Sequence, residues 1–200
     1  MKIKVFVILV VGFLFVPAVV FAGQGGRAAV RQEHQAERQA HHQQQVSENK
    51  ALRQSLKGKT AEEKATALKA NRETQYGENK TFNATLHQEN MTALQARLAN
   101  NTKLSEAQKT ELVNHFESQY QENVSFRDER YSENTAFFDQ VANDANMTQE
   151  QKKAAIKAHF DAQKVEAKEH VQQQRSENKA LRQEIRSEVQ TQMGTGSENK

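Results

Sequence analysis

The chain has no cysteine and no tryptophan, and its only proline is Pro17. Without cysteine there is no disulfide framework, no thiol nucleophile and no lipid attached through a cysteine. After Pro17 no ring constraint interrupts a helix. Apolar residues make up 36% of the 200. The first 22 residues hold a disproportionate share of them, so the remainder can fill narrow seams between helices but not a wide core. Basic blocks are missing too. The formal charge of +3 falls to +1 once Lys2 and Lys4 are set aside with residues 1–22, and nucleic acid is not expected as a partner. There is no Gly-rich phosphate loop and no serine in an elbow motif. The chain therefore reads as a non-enzyme that takes no cofactor.

The one long apolar stretch lies at the start. Lys2 and Lys4 precede residues 5–16, and Val20-Phe21-Ala22 supplies a small-residue cleavage site. Interrupted by Gly12 and Pro17, the stretch falls short of the roughly 20 apolar residues that a membrane span needs. Residues 1–22 are read as an export signal, with the periplasm as destination and no stable membrane span after cleavage. The organisation expected for the rest is a flexible segment at 23–32, a helical repeat domain at 33–193 and a disordered tail at 194–200.

What fills this domain is a repeat. YGENKTF (76–82), YQENVSF (120–126) and YSENTAF (131–137) share an aromatic-x-Glu-Asn-x-x-Phe pattern. Glu78 and Glu89 are eleven apart, as are Glu122 and Glu133, and Glu133 and Glu177 are 44 apart. Eleven residues make three helical turns, so a recurring residue returns to nearly the same azimuth. The larger unit of about 44 residues is one helix plus one turn. KTELVNHFESQYQEN (109–123) aligns with KAAIKAHFDAQKVEA (153–167), and QQQVSENKALRQ (43–54) matches QQQRSENKALRQ (172–183) at all but one position. Capping boxes mark the helix starts: Thr60 with Glu63, Ser105 with Gln108 and Thr148 with Gln151. Helices are expected at 28–57, 61–99, 106–143 and 149–192. The fold class is all-α, with long antiparallel hairpins from tandem duplication of the helix-turn unit. Either an up-and-down four-helix arrangement or an open cradle fits.

In the third helix Leu112, Phe116, Tyr120, Asn123, Phe126, Tyr131, Asn134, Phe138 and Val141 step as an inward stripe must. Asn123 and Asn134 then fall at or beside the seam, where asparagine fixes register and partner choice at some cost in stability. One Glu per three turns does not converge into a ladder of cation ligands, so the Glu-Asn beat reads as a register device. His34, Glu37 and His41 share a helix face and form the one candidate metal set, against which a solvated charged face is the weightier reading. His115 and His159, equivalent in the repeat, precede core-like phenylalanines and are read as packing on a shoulder of the seam.

LSEAQK (104–109) and MTQEQK (147–152) resemble the L-T-x-x-Q motif of the periplasmic Spy/CpxP family, carried here by Leu104, Ser105 and Gln108 and by Met147, Thr148 and Gln151. The export signal and the Gln-rich helical composition resemble that family too. The resemblance implies a homodimeric, cradle-shaped, ATP-independent chaperone or envelope-stress protein that holds partly unfolded clients. Phe82, Phe126, Phe137 and Phe138 beside Arg97, Arg127 and Arg130 are the expected apolar and basic contact surface. The competing reading is a structural coiled-coil spacer or self-assembling repeat, which needs those aromatics buried.

Overall fold

The computed structural model describes residues 24–195, with side chains described from 32 to 192. The expected export signal and the end of the expected tail lie outside the described residues. Four helices follow one another: α1 (Gln24–Ser55), α2 (Ala61–Ala99), α3 (Glu106–Asn143) and α4 (Gln149–Thr195). The described residues are all-α, as the repeat requires. The bounds of α2 and α3 match the sequence reading. In contrast, α1 starts early and takes in most of the segment 23–32 read as flexible. Each residue added to a growing helix fixes one hydrogen bond, and Arg27-Ala28-Ala29 propagate it past Gly25 and Gly26 despite roughly 1 kcal/mol for each glycine. At its far end α4 runs on to Thr195. No described helix is long and apolar enough to cross a membrane.

All three expected capping boxes form. The Glu63 backbone N–H donates to Thr60 Oγ1 at 3.2 Å while the Thr60 N–H donates to Glu63 Oε2 at 2.7 Å. Ser105 and Gln108 exchange bonds of 2.9 and 3.2 Å, and Thr148 and Gln151 bonds of 2.7 and 3.2 Å. Six backbone donors that would otherwise lack partners at helix starts are thereby satisfied. The Thr60 N–H bond, helped by the Thr60 hydroxyl and Lys59, holds the Glu63 carboxyl below its ordinary range. This part of the cap is therefore present above the usual carboxylate range and lost as pH falls through the depressed value. The first turn itself needs Gly58, whose φ of 79° is the left-handed conformation that ends α1.

The chain divides into two compact units, one ending at Glu89 and one continuing from Asn90. In the first, α1 and α2 up to Glu89 form an antiparallel hairpin: His41 meets Asn79, and Asn49 meets Asn71. In the second, α3 and α4 do the same, with His115 meeting Asn178 and Asn134 meeting His159. Apolar burial in the second unit gathers in Leu94, Leu98, Leu104, Leu112, Leu181 and Ile185, and again in Val141 and Phe160. Between these two groups the buried positions are Gln119, Gln174 and Asn178. The first unit is leaner still, with Leu56 and Leu86 buried beside His34, Gln45 and Asn49.

Gly77 sits inside α2, and a Cβ built on it meets nothing within 4 Å. It therefore carries the entropic cost of glycine without a steric need for it. Gly77→Ala is expected to stabilise the first hairpin by about 0.5–1 kcal/mol, read as a higher urea midpoint at unchanged slope.

Candidate functional site

The eleven-residue beat becomes a ladder once the helices pair. Asn123 Oδ1 accepts from His170 Nε2 at 3.0 Å, and the His170 ring lies flat on Phe126, with centroids 4.4 Å apart and planes 1° from parallel. Asn134 Oδ1 accepts from His159 Nε2 at 2.8 Å, and that ring stacks on Phe137 at 4.0 Å. Eleven forward along α3 is matched by eleven back along α4. The first unit repeats the device: His41 Nε2 donates to Asn79 Oδ1 at 2.9 Å and stacks on Phe82 at 4.3 Å. In all three rungs the Asn and the Phe three residues later come from one Glu-Asn-x-x-Phe beat, and the imidazole comes from the opposite helix. Asn123 is held in its orientation because its Nδ2 donates to the Gln119 carbonyl at 2.7 Å. Its Oδ1 must then face the histidine, which fixes a proton on Nε2.

A fourth crossing reverses the roles and drops the phenylalanine. His115 on α3 donates to Asn178 Oδ1 on α4 at 3.2 Å. Asn178 Nδ2 donates to Gln119 Oε1 at 2.9 Å and to the Gln174 carbonyl at 2.7 Å. Gln119 and Gln174 donate to each other's backbone carbonyls at 3.3 and 3.4 Å. These amides lie in the interior yet each has partners, which is what makes their burial tolerable.

At both ends the stripe read in the sequence holds, with Leu112 and Val141 buried, but in its middle the seam lies one position away. Gln119 is buried where Tyr120 was expected, while Phe116, Tyr120, Tyr131 and Phe138 are half-buried on its flank. His115 and His159 stand in the seam rather than on a shoulder, and Asn123 and Asn134 are in it as expected. Among the residues expected to form an apolar and basic surface, Phe82, Phe126 and Phe137 are half-buried under imidazoles of their own hairpins. Phe138 packs against Phe137 and Phe160, each at 5.8 Å. Arg130 lies over Phe126 at 4.8 Å and pairs with Glu166 and, at 3.5 Å, with Glu133. Arg97 and Arg127 each bond a backbone carbonyl one turn back, at 3.0 Å. Of the motif residues, Leu104 and Gln108 are buried. Gln108 does more than cap, since its Nε2 donates to Glu188 Oε2 at 2.8 Å across the hairpin. No family model, curated protein or solved structure matches the chain.

A second cluster lies in the first unit. His34 and Glu37 face the same way on α1, as expected, but His41 belongs to the rung at Asn79. Glu89 of α2 takes its place, accepting from His34 Nε2 at 3.0 Å. The potential donor atoms of His34, Glu37 and Glu89 all lie within 4.8 Å of one another. His170, Gln119, Gln174, Asn178 and Glu89 were missed as partners in the sequence. One signal was available: His159 and His170 are spaced eleven apart, like Asn123 and Asn134.

Proposed function

We propose that this is an exported structural protein, a spacer whose paired helices set length and register through repeated side-chain rungs. The observation that carries it is the engagement of Phe82, Phe126 and Phe137 with histidines of their own hairpins. A surface for capturing unfolded chains needs such rings uncovered, whereas here each is part of the hairpin's own closure. So little apolar burial also supports self-association, with a homodimer as the simplest symmetric solution.

Client holding of the Spy/CpxP type is the second reading. It is favoured by the half-buried cluster of Phe137 and Phe138 and by the exposed Val165, 55% accessible on α4. The two readings separate in one assay with the chain lacking residues 1–22 and a chemically unfolded client, without nucleotide. The spacer reading expects no suppression of client aggregation near equimolar ratio. Suppression that disappears in a Phe126→Ala/Phe137→Ala/Phe138→Ala variant of unchanged helicity would replace it with client holding.

A further inference from the structure

We propose that His34, Glu37 and Glu89 form a binding site for a divalent first-row transition cation, with zinc the best match. Three donors from two helices converge: an imidazole and a carboxylate one turn apart on α1, and a carboxylate brought in by α2. Their mutual separations, within 4.8 Å, suit a single ion bound between them. One imidazole nitrogen with two carboxylate oxygens is a mixed set of the kind zinc accepts, with a fourth position left for water.

An independent observation points to a ligand. Glu37 Oε2 is shut off from solvent and has no hydrogen-bond partner. A carboxylate oxygen in that state is costly, and a cation is the partner that would remove the cost. Arg38 is near enough for its charge to interact with Glu37, yet no bond from it reaches Oε2. His34 is itself buried. It can serve as a ligand by giving up the Nε2 proton that now bonds Glu89, leaving both groups free to face the metal.

The cluster also departs from the repeat around it. At four other beats the glutamate meets amides, a hydroxyl or arginine, and at a fifth Glu78 Oε2 is buried without a hydrogen-bond partner. Glu48 accepts from Gln44 and Gln75, Glu122 from Ser118, Glu133 pairs with Arg130, and Glu177 accepts from Gln173 and Gln119. Only at Glu89, among these beats, do the described contacts bring a histidine and a second carboxylate to the glutamate. The phenylalanine found three residues after Asn79, Asn123 and Asn134 is replaced by Ala93 after Asn90. Register alone does not call for this change of chemistry.

The test is titration of the full chain with zinc against a chromophoric chelator, repeated with cobalt to read its visible absorption. One saturable equivalent is expected, with a cobalt spectrum of a low-coordinate site. His34→Gln, Glu37→Gln and Glu89→Gln should each weaken uptake at least about tenfold, while His42→Gln, outside the cluster, leaves it unchanged. Glu37→Gln preserves shape and removes no hydrogen bond at Oε2, so its loss of affinity at unchanged helicity separates ligation from folding. Absence of saturable uptake would overturn the site. So would uptake indifferent to the three cluster substitutions, or uptake lost in His42→Gln.

Discussion

Asn178→Ala is expected to destabilise the α3–α4 hairpin by about 2–4 kcal/mol, measured by urea unfolding of the second unit. Asn178 is 3% exposed and joins three neighbours: His115, Gln119 and the Gln174 backbone. Truncation strands the buried Gln119 amide oxygen and the N–H of the half-buried His115. The penalty for such orphaned groups, about 1–3 kcal/mol each, exceeds what the bonds contribute when made. The contrasting variant changes His115, Gln119, Gln174 and Asn178 together to leucine. Asn123 Nδ2 loses Gln174 Oε1 but keeps the Gln119 carbonyl, so the stability of this variant should equal or exceed that of the natural chain. What it loses is selectivity, because leucines pack in several registers and with several partners. Mixed oligomers in sedimentation analysis are the expected result, and a single well-defined species would show that the amides do not govern register.

The other large effect concerns length. Removing residues 124–134 from α3 together with 160–170 from α4 takes out one rung from each arm. Asn123 then faces His159, and Phe137 again stands three residues after an asparagine. The hairpin should fold with its remaining rungs intact and be about 16 Å shorter, at 1.5 Å per residue, as read by small-angle scattering. Removing only residues 124–128 rotates the distal part of α3 by about 140° relative to α4, at 100° per residue. Asn123, Gln119 and His115 then point away from their partners. Loss of the whole cooperative transition of the second unit is expected, of the order of 5 kcal/mol or more. Equal behaviour of the two deletions would refute the idea that rungs set register.

The helices α2 to α4 and their starts were legible because their causes are local. A capping box spans four residues, and Thr60, Ser105 and Thr148 each carry their own reciprocal partner three positions on. The eleven-residue beat likewise lies along one strand of sequence. The azimuth of the seam did not follow, because hydrophobicity placed Tyr120 inside and Gln119 outside. That rule fails where a buried amide finds partners, and the partners of Gln119 lie more than fifty residues away, on Gln174 and Asn178. The same distance hid the cluster of His34, Glu37 and Glu89. His34 and Glu37 are visible on one face of α1, but Glu89 joins them only when α2 folds back, and His41 is drawn off by Asn79.

Rungs that recur every eleven residues have a cost during folding. If α4 slides by one beat along α3, Asn123 meets His159 as it now meets His170, while Asn134, His115 and the Gln119–Gln174–Asn178 amides lose their partners. The slipped hairpin is thus a competing minimum, and a chain caught in it must open before it can correct itself. What discriminates is the turn, where the Thr148–Gln151 box and the Lys152 ammonium on the Ala142 carbonyl, at 3.0 Å, tie the two arms at one point. Refolding speed should therefore depend on those few residues far more than equilibrium stability does, because they decide which of the two alignments closes first.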